Sequence, residues 1–215
     1  MKNIKQYFGY ITIVLSLFSC SDILDIAPYG VVDQEILANK EGVEKLLIGC
    51  YSTLDGQASE DYYVWNNYWA TDDARMGSNA GVNTFDAFLH TPVYSEIATR
   101  WKTLYGFVNR TNSVLEILPK VTDMTDDEKA VVEAQVKFIR GFNYFFLAMI
   151  WKNVPWIDET IDYGKRNFLV SNREIDIYSK IELDFKFASE NLPETWGQVG
   201  RVNKWAAKSL LAKTY

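Results

Sequence analysis

Histidine and cysteine are nearly absent from this 215-residue chain, which has one His and two Cys. His90 therefore stands alone, and no cluster of Cys and His exists. That excludes zinc sites, which need several such ligands, and His-based catalytic triads. Runs of basic residues are missing too, and the formal net charge is -6. Phosphate backbones demand Lys and Arg, so no nucleic-acid partner is expected. Nor does an acidic chain attract anionic lipid, so any hold on a membrane requires an anchor. No phosphate loop, nucleophile elbow or dinucleotide fingerprint occurs, and no cofactor is expected. The apolar run near the start, about Tyr7 to Phe18, is too short for a membrane span, which takes about 20 residues.

Aromatic residues are what the chain has in plenty, at 15%, with 7 Trp, 13 Tyr and 12 Phe. A core alone seldom needs that many, so some are expected to face a ligand or a partner. The remaining composition, 48% hydrophobic and 23% charged, is that of an ordinary globular chain.

The first residues read as a secretory signal over 1–19. Lys2 and Lys5 give a positive start, the apolar run follows, and Ser19 precedes Cys20. The stretch L-S-L-F-S-C resembles a bacterial lipobox, whose cysteine sulfur receives diacylglycerol and becomes the new first residue. Ser16 and Phe18 fit it loosely, since small residues are usual there. Several acyl chains on one residue anchor stably where a single chain does not. Residues 20–38 then read as a tether, with Pro28, Gly30 and few periodic apolar residues. With Cys20 lipidated, Cys50 has no disulfide partner and is expected to be a buried, inert thiol.

Residues 39–215 read as one mostly all-α domain of irregular, tetratricopeptide-like helical repeats with a long loop-rich insertion. Asn39 is placed to cap a helix to about Leu54, burying Val43, Leu46, Leu47 and Cys50. Ser95 opens a second helix, which carries Ile97, Trp101, Leu104, Tyr105, Val108, Leu115 and Leu118 and which Pro119 stops. Thr125 with Glu128 forms a capping box for a third, with Val131, Ala134, Phe138, Phe142, Phe145, Phe146 and Met149 inward. Ser171 with Glu174 is a second box, followed by a stripe of Tyr178, Ile181, Phe185, Ala188 and Leu192. The last helix starts at Asn203 and runs to Tyr215 with its stripe unfinished, so truncation at this end is expected, with Leu210, Leu211 and Tyr215 left uncovered. Arg140, among aromatics, is expected to be held by a carboxylate or stacked on a ring. Asp126 and Asp127 suit the dipole of a first helical turn.

Five stretches, in order, carry a resemblance. They are C-S-D-I-L-D-I-A-P-Y-G from Cys20, E-G-V-E-K-L-L-I-G-C-Y-S-T-L from Glu41, and W-K-T-L-Y-G-F-V-N-R-T-N from Trp101. V-K-F-I-R-G-F-N-Y-F-F-L-A-M-I-W-K-N-V-P-W from Val136 follows. The fifth is the pair of helices with I-Y-S-K-I-E-L-D-F-K-F-A-S-E-N-L-P and G-R-V-N-K-W-A-A-K-S-L-L-A-K-T-Y. Together they resemble the SusD/RagB family of surface nutrient-binding lipoproteins. Gly141 stands where that family usually has Ala, and Asn203 where it has Thr. The resemblance implies a binding protein without catalysis, at the outer membrane and cell surface. Its partners would be an oligosaccharide or other nutrient and a SusC-like TonB-dependent transporter. It also implies that the family's second half is missing here.

A sugar offers an apolar C–H face and a hydroxyl rim, so its site needs flat rings edged by amide, carboxylate and guanidinium groups. Tyr63, Trp65, Asp73, Arg75, Asn79 and Asn83 supply that mixture in the insertion and are the candidate ligand residues. If 62–74 is helical, however, Trp65, Tyr68 and Trp69 share one face and core packing is the ordinary reading. A helical-repeat scaffold that binds only protein is the second functional class. Blocking lipoprotein processing in the producing cell should leave a heavier, uncleaved precursor. An unchanged mass on electrophoresis would remove Cys20 as the anchor.

Overall fold

The computed structural model describes residues 34–54, 88–89, 91–93, 95–161 and 175–215. Five α-helices lie there, α1 (Lys40–Tyr51), α2 (Ser95–Ile117), α3 (Asp126–Trp151), α4 (Ile177–Asn191) and α5 (Lys204–Thr214). Short 3₁₀ turns at Gln34–Leu37 and Leu118–Lys120 precede α1 and follow α2. No strand occurs among the described residues. Each helix packs chiefly on the next in the chain, the order expected of stacked helical repeats.

Local chemistry sets the helix starts. Asn39 Oδ1 accepts from the Gly42 amide at 2.9 Å, so α1 begins where a capping Asn predicts. The α3 box closes both ways: Glu128 N–H donates to Thr125 Oγ1 at 3.2 Å, and Thr125 N–H to Glu128 Oε2 at 2.9 Å. Asn203 caps α5 through the Ala206 amide. The α4 start differs from expectation. Its cap is Asp176, whose carboxylate accepts from Tyr178 N–H and Ser179 Oγ, while Ser171 and Glu174 lie outside the described residues. Ile177 consequently enters the core and Tyr178 is left 38% exposed.

α3 departs most from a one-sided stripe. It contacts α1, α2, α4 and α5, so most of its circumference is covered. Gln135, Arg140, Asn143 and Tyr144 are buried beside the expected Ala134, Phe138 and Phe145. Met149, expected inside, is half exposed, because in this turn Leu147, Ala148 and Trp151 make the contacts with the neighbouring elements. On α5 only Ala207 is fully buried, while Leu210 and Leu211 pack partly on the core. Tyr215, expected to be left uncovered, is 80% exposed, and its hydroxyl makes a surface bond to Glu182 Oε1 at 2.6 Å.

Two glycines mark close approaches. A Cβ on Gly42 would sit 2.5 Å from the Leu37 carbonyl oxygen, so the 3₁₀ turn lies directly on α1. One on Gly141 would meet the Phe185 ring at 3.0 Å, and the missing methyl lets α4 close on α3. Cys50 is buried and unpaired, and burial pushes its thiol up to about 12, so it is inert as expected.

Just past α3, Lys152 sits at φ 60°, ψ -80°, a γ-turn region that L side chains rarely occupy. Lys152→Gly should therefore raise stability, by about 1 kcal/mol after the entropy cost of glycine. Gly42→Ala should lower it by about 2 kcal/mol, because the backbone it meets has nowhere to move. Chemical denaturation measures both, and a Lys152→Gly variant no more stable than wild type would show that the turn is unstrained.

Candidate functional site

The sequence-predicted ligand residues Tyr63, Trp65, Asp73, Arg75, Asn79 and Asn83 lie outside the described residues, as does Cys20. The described residues hold the helical scaffold, a strap that runs without regular structure from Val154 to Asp158 and turns at 159–161, and a surface groove.

The strap is fastened by side chains from two helices. Tyr105 on α2 donates its hydroxyl to Pro155 O at 2.7 Å. Tyr144 on α3 accepts from Ile157 N–H at 2.7 Å and donates to Ile157 O at 3.0 Å, and Asn112 Nδ2 donates to the same oxygen. Trp156 stacks on Tyr144 with ring centroids 4.3 Å apart. Its indole N–H donates to Asp158, whose carboxylate also accepts from Thr160. Burial pushes the Asp158 carboxyl up, but these bonds outweigh it and hold it below the usual carboxylate range.

Arg140 joins all of these parts. Its guanidinium grips Asp184 of α4 through Nε at 2.7 Å and Nη2 at 2.8 Å, a bidentate pair. Nη1 reaches Glu159 of the strap at 2.5 Å and Asn112 of α2 at 3.2 Å. The guanidinium also lies over the Trp156 ring, 5.1 Å from its centroid. Thus the sequence expectation of a carboxylate or a ring is met by both. Burial disfavours the charge on Arg140, yet Asp184 and Glu159 offset this and keep it protonated. Burial drives the Asp184 carboxyl above its ordinary range, against the pull of Arg140. Sequence reasoning missed Asp184 and Glu159, because nothing local marks which carboxylate reaches a distant Arg.

A second arginine clamps the first helix to the last loop. Arg201 binds Glu44 on α1, Gln135 on α3 and Gln198, and lies over Trp196. Beside it opens a groove of about 990 Å³. Val43, Met124, Val131, Val132 and Trp196 give it an apolar lining, and Lys40, Glu128 and Asp127 stand at its rim. Lys40 closes one end by a salt bridge to Glu128 at 2.5 Å. Three or more metal-ligating side chains do not gather anywhere among the described residues.

These features can be set against known proteins. A SusD-like family model, described as starch-binding and associating with the outer membrane, matches residues 22–215. The chain therefore belongs to the SusD-like family. It is 24% identical to SusD-like protein P25 of Formosa agariphila over 99% of this chain and 43% of that protein. A SusD-like protein of Bacteroides ovatus is 27% identical over 95% of this chain and 38% of its own length. Among solved structures, a SusD-like protein of Bacteroides fragilis superposes with TM-score 0.70 at 20% identity, covering 86% of this chain and 36% of that one. A laminarin-binding SusD-like protein superposes at 0.64 and 25% identity, covering 82% and 40%. The chain spans less than half the length of these relatives. Over its described residues the chain shows the tetratricopeptide-like helical architecture expected from the sequence, and this is the fold it shares with these structures.

Removing Arg140 strands Asp184 in the core. Arg140→Met should cost about 3–5 kcal/mol in chemical denaturation, and adding Asp184→Leu should return much of it. A loss under about 1 kcal/mol would mean that the cluster is solvated rather than buried.

Proposed function

We propose that this chain is the scaffold-bearing part of a cell-surface protein that binds an oligosaccharide and passes it to a SusC-like TonB-dependent transporter. Lipid on Cys20 would hold it at the outer membrane, and its work is binding without catalysis. The observation that carries the reading is the family match over 22–215, on a described fold built of the family's helical repeats. The relative described as laminarin-binding supports a glycan as the nutrient. The sugar-facing residues would come from the insertion, with Tyr63, Trp65, Asp73, Arg75, Asn79 and Asn83 as the candidates.

One observation favours a second reading, a repeat scaffold that binds protein alone: the apolar groove beside Arg201. Calorimetric titration with a panel of soluble starch, laminarin, a xylan and a pectic polyuronate separates the two. Saturable heat with one member, weakened by Arg75→Ala with Asn83→Ala, is the expected result. Pull-down from solubilised outer membranes should retain a barrel transporter. Binding to no glycan and no transporter would leave the scaffold reading.

A further inference from the structure

The strained residue, two indoles without a hydrogen-bond partner among the described residues and the strap are linked at one end of α3. Trp101 on α2 and Trp151 at the end of α3 pack edge to face, with centroids 5.1 Å apart at 86°. Tyr105 backs Trp101 at 4.8 Å and is itself fixed by its bond to Pro155, so the cluster rests on the fastened strap. Both tryptophans pack against the core yet keep part of their surface open. Like that of Trp205, neither indole N–H has a hydrogen-bond partner among the described residues, whereas Trp156 and Trp196 donate theirs. A partly exposed indole whose N–H is unpaired offers apolar ring surface and a donor together.

Lys152 follows Trp151 directly. It is exposed, it has no ion pair or hydrogen-bonding side-chain partner among the described residues, and its backbone is held at φ 60°. Glycine would suit that turn, and nothing in the packing explains the lysine there. Strain kept at an exposed, unpaired cation next in sequence to a partly exposed aromatic pair is the pattern of a residue retained for what it touches outside the chain.

We infer that Trp101, Trp151 and Lys152 form a subsite for one sugar ring of a glycan. The ring would lie on an indole face, and the Lys152 ammonium and the indole N–H groups would donate to its hydroxyl or carboxylate oxygens. The inference rests on the glycan-binding reading above and places a contact on the helical scaffold, away from the insertion's candidate residues in sequence.

The test uses whichever glycan of the panel the wild-type chain binds. Lys152→Gly should melt higher than wild type and yet bind about tenfold more weakly, which a purely structural lysine would not do. Trp151→Leu should keep its helical circular dichroism and also lose about tenfold in affinity. Wild-type affinity in either variant overturns the three-residue subsite while the glycan reading stands. A wild-type chain that binds none of the glycans removes that reading, and the subsite with it.

Discussion

The Arg140 guanidinium is the interaction on which the described structure depends. It is 4% exposed, and a charge so placed is tolerable only when its donors are met. The partners come from α2, from α4 and from the strap, at sequence separations of 28, 44 and 19 residues. No subset of these elements satisfies it. The cluster therefore acts less as a source of net stability than as a condition on assembly, since a wrong helix register leaves a buried charge without its partner. The aromatic packing around it, Trp156 on Tyr144 and Phe185 on Phe138, is adaptable by comparison and would tolerate several arrangements.

What could be read in the sequence follows from the range of each signal. Caps act over three residues, so Asn39, Thr125 with Glu128, and Asn203 marked their helices correctly. The α4 start was misplaced because two capping patterns lie close together, and Asp176, the nearer one, binds the first turn. Burial on α3 was legible only in its apolar part. Periodicity finds one hydrophobic face, whereas a helix covered on several sides also buries Gln135 and Arg140, which bond partners far away in sequence, and Asn143, which bonds the Ile139 carbonyl one turn back. The candidate ligand residues rested on composition, which identifies the right chemical groups but carries no geometry.

The two arginine clamps differ in a way that bears on motion. Arg140 is enclosed, whereas the Arg201 side chain is 19% exposed and its partner Glu44 is 41% exposed. Screening weakens the second pair far more than the first. The first helix and the last loop are thus joined by the part-buried Val202 N–H bond to the Tyr51 hydroxyl and by an ion pair that water can loosen, beside an apolar groove, while α2, α3, α4 and the strap are locked. Local opening is expected to begin at the Arg201 side, where fewer buried contacts oppose it.

Rigidity at the strap has a further consequence for Lys152. A strained γ-turn persists only where its flanks are fixed more firmly than the turn is costly. On one side α3 is held by Arg140 and Tyr144, and on the other Pro155 and Ile157 are bonded to Tyr105, Tyr144 and Asn112. The same bonds that seat the strap therefore force Lys152 into its conformation and aim Trp151 beside Trp101. The buried charge cluster and the partly buried aromatic pair are two ends of one mechanical arrangement: satisfying the guanidinium inside fixes the geometry that a ligand would meet outside.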